Sequence, residues 1–587
     1  MHLKVLACNL DHIWDANNDP IEEIRAILSQ AKVAGMHIIL VTRYTLDDLA
    51  MIWPYINTFK AVVAEDGAVI YFPECKRTIM PFGYLDPMLL PRLEKQGIPL
   101  THGEATARTW LPYDAAVLDV LRIFGGGALI EYNNDVVMIQ PTGATKGTGL
   151  AYVLRELALS PHNVVVCGGD ENDRSLFEMA ELSIAFADAV PAIRTLADMV
   201  LPHTSSTGLQ TLIANLSSGQ IPHHRSQYQH QLLLGHQSSG TPVYLSPPQL
   251  LHNNIGIFGD SGSGKSWLAG VLVEEMLKQG YQVCVIDPEG DHHSLSSFPH
   301  TLLVGGSGAR LPPVVDLVEL CKHTGMSLIV DLSTCLPTER VAYVVELIHA
   351  LRLLRHTYGR PHWILIDEIQ HFCPFWCADS TQAIVEAMND QGFGIVSYLP
   401  NVISELVLNL LNGMLLLQFD LAEKIATLAS HLGTCDTWPS IALQITDLPQ
   451  GHAWMCFHQS VDDLNGSTLF RSRPRMAPHM RHFHKYLHAI LPEAVRFYFC
   501  DGTGEYVGFT AANLWEFREA LYIVPIDSLQ YHSQRGDFER WIREVIRNDD
   551  LARQLAKLPL HELTNTVLRQ KLISLVSEWC EELEHLV

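Results

Sequence analysis

The chain has 587 residues, 48% hydrophobic and 18% charged, which is enough apolar material for about three to five packed domains and argues against a disordered chain. Lysine and arginine total 40 against 64 aspartates and glutamates, so the formal net charge of −24 argues against an outer surface that coats nucleic acid or an anionic membrane and leaves room only for a local basic channel. Twelve scattered cysteines without paired spacing read as reduced thiols of a cytoplasmic protein, and the most apolar stretch, 402–419, carries Glu405, Asn409, Asn412 and Gln418 and falls short of a membrane span.

Residues 1–205 alternate β-rich runs with helical ones: LKVLAC, IEEIRAILSQAKVAG, HIILVT, then NVVVCGG and DRSLFEMA. This is the pattern of a parallel sheet flanked by helices. The first strand leads into Asn9 and Asp11, the second into Thr42. Lys146 stands in PTGATKGTGL, and Asp170 and Asp173 in GGDEND. In this order the segments resemble the four motifs of haloacid dehalogenase-type phosphatases, with VVAEDGAVIY similar to the run that enters a cap in the sugar-phosphatase branch. The resemblance implies a Rossmann-like domain over 1–205 with a small α/β cap near 78–138. It places Asn9 at the nucleophile, Asp11 at the general acid/base, Thr42 and Lys146 at the phosphate, and Asp11, Asp170 and Asp173 around Mg²⁺. Here Asn9 replaces the nucleophilic aspartate and His12-Ile13 the usual Gly-Thr. An amide cannot form an aspartyl-phosphate, so a degenerate site is expected, one that keeps Mg²⁺ or a phosphorylated small molecule at most.

Residues 206–245 are rich in His, Gln, Ser and Gly and read as a linker, with short strand signals in LLLG and PVYL. From 246 to 470 β/α alternation resumes, with strands NIGIFG, QVCVID, SLIVDL, WILID and GIVSY. Between the first strand and the helical run WLAGVLVEEMLKQ lies GDSGSGKS: Gly259, Asp260, Ser261, Gly262, Ser263, Gly264, Lys265 and Ser266. This is a phosphate-binding loop in its required strand–helix context. Its backbone N–H groups curl around phosphates at the positive end of a helix, Lys265 adds a charge at the β- and γ-phosphates, and Ser266 offers a hydroxyl to Mg²⁺. HWILIDE ends a second strand in Asp367, for Mg²⁺, and Glu368, a general base for the attacking water. His371, Cys373 and Cys377 follow closely, and packing accounts for them better than a metal site.

The segment VCVIDPEGD, with Asp287 and Glu289, together with GFGIVSYLP and DLPQGHAW, resembles the HerA/FtsK-type ATPases over about 246–460. The resemblance implies a RecA-like core, ATP and Mg²⁺ as ligands, nucleotide contacts from Asp287 and Glu289, and a homo-oligomeric ring, usually of six, in which an arginine of the neighbour completes each site. Arg352, Arg355 and Arg360 are the candidates. Ser397-Tyr398-Leu399 stands where many relatives carry Thr-Gln.

Residues 471–485, RSRPRMAPHMRHFHK, read as a basic linker. Residues 486–587 open with hairpin-like VRFYFCDGTGEYVGF and turn into a small, mostly helical domain. In it Phe538, Trp541, Ile542, Val545 and Ile546 share one helix face. Tyr531, His532, Asp537 and Trp541 are either a recognition patch or, the better reading, packed structure. The order of the modules is similar to a bacterial family that fuses a phosphatase-like domain to a HerA-like ATPase. The function expected is an ATP-hydrolysing motor or switch, catalytic through Lys265 and Glu368, with the N-terminal module a ligand sensor or scaffold. The alternatives are a Mg²⁺-dependent phosphatase regulated by the ATPase, a nucleic-acid translocase or helicase, which the net charge does not support, and a scaffold that binds ATP without turnover.

Overall fold

The computed structural model describes residues 3–11, 21–124, 127–133, 135–203, 205–218, 231–306, 310–374, 378–419, 424–425, 428, 444–457, 468–477, 495–546, 549–557 and 565–585. They form two compact units, one of Met1–Pro288 and Leu295–Met476, the other of Glu289–Ser294 and Ala477–Val587.

The first unit holds three sheets. In the N-terminal module, β1 (Val5–Asn9), β2 (His37–Val41), β3 (Ala61–Ala64), β4 (Val69–Phe72) and β5 (Arg77–Ile79) are followed by a cap. The cap strands are β6 (Thr101–His102), β7 (Ala107–Trp110), β8 (Ala128–Asn133) and β9 (Val136–Pro141). The chain then returns with β10 (Val164–Gly168), β11 (Leu182–Ala185) and β12 (Met199–Val200). The main sheet runs β12-β11-β10-β1-β2-β3-β4-β5, parallel up to β3 and antiparallel beyond. Its central strands are apolar on both faces because helices cover both. Leu6, Cys8, Ile38 and Leu40 enter one core, and Val5, Ala7, Ile39 and Val41 the other. The cap sheet has the order β6-β7-β9-β8. Buried Glu65, at φ 50°, ties it down: its carboxylate accepts the N–H groups of Glu104, Ala105 and Thr106 and the Thr106 hydroxyl, at 2.7–3.1 Å.

The central module is built on β13 (Leu232–His236), β14 (Pro242–Leu245), β15 (Asn254–Phe258), β16 (Val283–Asp287), β17 (Thr301–Gly305), β18 (Ser327–Asp331), β19 (Trp363–Ile366), β20 (Phe393–Ser397), β21 (Gly413–Leu416), β22 (His452–Phe457) and β23 (Thr468–Ser472). Their order is β14-β13-β23-β22-β21-β15-β20-β19-β16-β18-β17. The stretch from β21 to β17 is parallel, so the loops after β15, β19, β20 and β16 open on one edge, where an open α/β sheet binds ligands.

Two expectations change here. The linker over 206–245 is narrower than its polar composition indicates. Ser205–Ser218 is a helix whose Leu209, Leu212, Ile213 and Leu216 are buried in the N-terminal core, and β13 and β14 extend the central sheet. Only 219–230 lies outside the described residues. Nor is 471–476 a linker: Arg471 and Ser472 belong to β23, and 473–476 packs against the helix Lys265–Lys278, while 478–485 lies outside the described residues.

The two modules of this unit meet at the amino ends of their strands. His162, just before β10, stacks on Tyr281, just before β16, with ring centroids 3.8 Å apart. The ring nitrogens of His162 face the Glu181 carboxylate at 2.8 Å and the Gln279 carbonyl at 3.0 Å, and the Tyr281 hydroxyl donates to Glu181. Buried Arg360 donates to the Ala158, Lys322 and Gln282 oxygens, and Asn163 to the Gly359 carbonyl. The loops after the strands therefore lie at the far end of each sheet from these contacts. At ~3.3 Å of rise per residue, a five-residue strand puts each loop edge about 16 Å from these contacts.

In the second unit β24 (Phe497–Cys500) and β25 (Tyr506–Ala511) form the expected hairpin, and the helices Leu514–Ile523, Ile526–Arg535, Asp537–Glu544, Asp549–Lys557 and Asn565–His585 follow. Phe538, Trp541, Ile542 and Ile546 are buried in its core, with Val545 partly buried against it. His532 Nε2 accepts the Cys500 N–H at 2.8 Å, which leaves the ring proton on Nδ1 for Asp537 at 2.9 Å. Burial holds its pKa below the usual histidine range. Trp541 donates to the Val495 carbonyl. His532, Asp537 and Trp541 thus serve packing. Among the described residues no helix is long and apolar enough to cross a membrane.

Candidate functional site

The phosphate-binding loop joins β15 to the helix Lys265–Lys278, whose N-cap is Gly264. Gly262 and Gly264 take φ of 81° and 106°, values that a Cβ would strain, and the loop curls only because they are glycines. Gly259 has no room for a side chain: a Cβ there would lie 2.6 Å from Ser263 Oγ and 2.8 Å from Leu417 Cβ. Lys265 is buried, and its Nζ folds back onto the Asp260 carbonyl at 3.1 Å, 5.7 Å from the centre of the Tyr398 ring. Asp260 pairs with Lys424, and its N–H donates to the Gln418 carbonyl at 2.9 Å. From the late DLPQG turn, Gln450 Nε2 reaches the Gly262 carbonyl at 3.3 Å, so that turn and the loop are neighbours.

Asp367 and Glu368 follow β19, and β20 separates them from β15. Both are buried. The Glu368 N–H donates to Asp367 Oδ1 at 2.9 Å, and Glu368 sits in the left-handed region at φ 45° and ψ 54°. One oxygen of its carboxylate accepts Gln370 Nε2, and Gln370 Oε1 accepts the Ser397 hydroxyl at 2.7 Å. Asp287, at the end of β16, is paired in register with Asp331 at the end of β18, and both are buried. Glu289 falls in the second unit, so the site described here is built without it. Lys265, Ser266, Asp367 and Glu368 thus come to one edge of the sheet. Ser266 and Asp367 offer a hydroxyl and a carboxylate oxygen, a donor set that fits Mg²⁺ once water and phosphate oxygens complete it. Cys373 is buried, His371 is exposed, and Cys377 lies outside the described residues.

The candidate arginines lie elsewhere. Arg360 is buried between the modules and cannot reach a neighbouring chain. Arg352 is paired with Asp390 at 2.7 Å and with Glu386. Arg355, which burial pulls down to about 10, packs over Phe393 at the amino end of β20, away from the loop edge. In the supposed basic linker, Arg475 and Glu274 form an ion pair at 2.8 Å with both side chains fully buried, and Arg473 reaches Glu275 at 2.9 Å. These charges are spent inside the protein and are not offered to nucleic-acid phosphates. Removing one partner of a buried pair costs ~3–5 kcal/mol. Glu274→Ala is therefore expected to lower the melting temperature by roughly 10 °C, and Glu274→Ala/Arg475→Met to recover part of the loss, as calorimetry will read.

In the N-terminal module the chain order of motifs becomes a cluster. Asn9 ends β1, Thr42 follows β2, and Asp170 and Asp173 follow β10. Asn9 is fully buried, and its amide nitrogen donates to Asp170 at 3.1 Å and to both Asp173 oxygens at 3.0 Å, while its oxygen accepts the Asp11 N–H at 3.0 Å. Asp11 accepts the Thr42 hydroxyl at 2.6 Å and the Arg43 N–H at 3.1 Å, and burial raises its carboxyl to about 6. Lys146 Nζ donates to Asp173 and Asn172 at 2.8 Å. Burial pulls its pKa down, but Asp173, Asp66, Asp11 and Asp170 outweigh that and hold it above its usual range. The Gly169 and Asp170 N–H groups fill Asp173 Oδ2.

The Mg²⁺ site expected on Asp11, Asp170 and Asp173 does not fit this arrangement. The N–H₂ of Asn9 donates to both Asp170 and Asp173, so it puts a hydrogen-bond donor against the oxygens that a cation shared by these acids would use. Among the described residues no group of three or more His, Cys, Asp or Glu is placed to hold a metal. His12 and Ile13 lie outside the described residues. Two members of the cluster carried no motif signal of their own: Asn172, which donates to Asp66 at 2.9 Å, and Asp66, raised to about 6 by burial.

The family model for a haloacid dehalogenase-like hydrolase matches residues 119–213, and that for the central domain of the helicase HerA matches 232–346. The first match spans Lys146, Asp170 and Asp173 but not Asn9, and the second the phosphate loop but not Glu368. A phosphoglycolate phosphatase of Pyrobaculum islandicum is 23% identical over 225 residues, 37% of this chain and 98% of that one. Phosphoglycolate phosphatase 2 of Saccharolobus solfataricus is 32% identical over 104 residues, 18% of this chain and 44% of that one. A haloacid dehalogenase-like hydrolase structure from Bacteroides thetaiotaomicron, 15% identical, aligns with 36% of this chain and 99% of its own at a TM-score of 0.32. One chain thus joins a haloacid dehalogenase-like segment to a HerA central-domain segment.

Proposed function

We propose that this chain is an ATP-hydrolysing P-loop switch or motor that works as a ring in the cytoplasm, with the N-terminal module as a scaffold that has no phosphatase turnover. One observation carries the reading: Lys265 and Ser266 on one side of β20 and Asp367 and Glu368 on the other converge at the carboxyl edge of one sheet. The loop N–H groups and Lys265 bind the phosphates of ATP. Ser266 and Asp367 would hold Mg²⁺, which would supply charge neutralisation to the phosphates. Glu368 takes a proton from water as the water oxygen bonds to the γ-phosphorus and the bond to ADP breaks. Asp287 lies beside this edge as a further nucleotide contact.

The N-terminal module supports scaffolding over sensing. Its cluster is internally satisfied, and it is joined to the ATPase by the amino ends of two rigid sheets, far from either loop edge. The HerA match carries a second reading, translocation along nucleic acid, against which the buried Arg473 and Arg475 weigh. ATP turnover of the purified protein with and without DNA, together with its mass by light scattering with a non-hydrolysable ATP analogue, tests both. A nucleotide-dependent oligomer is expected, because a ligand bound between subunits stabilises their interface. A strict monomer at micromolar concentration with nucleotide bound contradicts the ring. Strong DNA stimulation favours the second reading.

A further inference from the structure

Glu368 and Ser397 are joined through Gln370. The Leu399 N–H donates to Ser397 Oγ at 3.0 Å, the Ser397 hydroxyl donates to Gln370 Oε1 at 2.7 Å, and Gln370 Nε2 donates to Glu368 Oε2. The direction of this chain is fixed by chemistry. A carboxylate only accepts, so the Gln370 NH₂ faces Glu368 and its Oε1 faces Ser397, whose hydroxyl must then donate to it while Ser397 Oγ accepts the Leu399 N–H. The three side chains are buried, Ser397 fully, so water does not compete for these bonds. Glu368 is a non-glycine residue at φ 45°, a conformation that persists only where its surroundings over-determine it. Ser397 ends β20, the strand between the phosphate loop and Glu368, and the next residue, Tyr398, lies over the Lys265 ammonium. Residues 397–399 therefore touch the phosphate-binding lysine and, through Gln370, the carboxylate of Glu368.

We infer that Gln370 and Ser397 are positioning residues for hydrolysis, an inference that rests on Glu368 being the general base. They fix one carboxylate oxygen so that the base keeps its aim, and they make that aim depend on where the segment facing Lys265 stands. Side chains that aim a base act on kcat and leave ATP binding alone. A misplacement of about 1 Å costs up to ~100-fold in rate.

The test is steady-state ATP hydrolysis by the full chain with Mg²⁺, as kcat and KM, for Gln370→Ala, Ser397→Ala, the double variant and Ser397→Thr, with Glu368→Gln as reference and melting temperatures alongside. Gln370→Ala is expected to lose ~10–100-fold in kcat with KM within about twofold of wild type, and Ser397→Ala ~3–10-fold. Because the groups act in series, the double variant should be no slower than Gln370→Ala. Ser397→Thr, which keeps the hydroxyl, should recover what Ser397→Ala loses. Should Gln370→Ala not fold, Gln370→Met keeps its volume, and the two Ser397 variants carry the test. Wild-type kcat in Gln370→Ala and Ser397→Ala beside an inactive Glu368→Gln overturns the relay and leaves the base in place, as do losses that multiply in the double variant. Wild-type turnover by Glu368→Gln overturns the base and the relay with it.

Discussion

Glu368→Gln should bind ATP and keep it, while Lys265→Ala should neither bind it well nor hydrolyse it. The two residues occupy the same edge of one sheet but act on different terms. Lys265, at the start of the helix Lys265–Lys278, would on the proposed reading give the phosphates a charge in the ground state as well as in the transition state, so its loss should raise KM and lower kcat. As the proposed general base, Glu368 would give the attacking water a proton acceptor, which matters only as the reaction proceeds. The glutamine keeps its shape and accepts no proton. General-base catalysis contributes ~10²–10⁴-fold, and that is the expected loss in kcat, with ATP affinity within a few-fold of wild type. Equilibrium binding of labelled ATP and single-turnover hydrolysis separate the two variants. Wild-type hydrolysis by Glu368→Gln would show that another group is the base.

Asn9→Asp is expected to destabilise the protein rather than restore a phosphatase. The substitution removes the amide donor that satisfies Asp170 and Asp173 and adds a carboxylate to a buried cluster that already holds Asp11 and Asp66, with Lys146 as its cation. An uncompensated buried charge costs ~3–5 kcal/mol, so the melting temperature should fall by roughly 10 °C. Mg²⁺ should restore part of it, because the new carboxylate replaces a donor with a ligand, whereas the wild-type melting temperature in the absence of nucleotide should not respond to Mg²⁺. The loss should be larger at pH 8 than at pH 5. Asp11 and Asp66, whose carboxyls burial raises to about 6, are charged at the higher pH and largely protonated at the lower. These two raised groups favour the folded state below the unfolded pKa of about 4, and that contribution disappears as the pH rises through about 6. A melting temperature that Mg²⁺ raises in the wild type as much as in the variant would show that Asn9 does not displace the metal.

Features carried by fixed spacing were legible in the chain. Residues 259–266 announce themselves because glycine, lysine and serine each meet a local steric or charge requirement, and β15, β16, β18, β19 and β20 because a strand buried on both faces must be an unbroken apolar run. What depends on partners distant in sequence was hidden. Arg473 and Arg475 look like a solvated basic run until Glu274 and Glu275, about two hundred residues earlier, are seen on the packed face of the phosphate-loop helix. Gln370 and Ser397 meet because β19 and β20 are neighbours in the sheet. Asn9, Lys146 and Asp173 were each recognised, yet that the amide donates to both Asp170 and Asp173 follows only from their distances. Asp331 could have been found: SLIVD, VCVID and WILID all end an apolar strand in aspartate.

The most direct test is phosphate release from ATP and from p-nitrophenyl phosphate by the same full-length preparation, as wild type and as Lys265→Ala. ATP turnover in the wild type that Lys265→Ala abolishes, with no release from p-nitrophenyl phosphate in either protein, is the predicted result. Metal-dependent release from p-nitrophenyl phosphate that survives Lys265→Ala, or a wild type that binds ATP without hydrolysing it, would contradict an ATPase built on a silent phosphatase-like module.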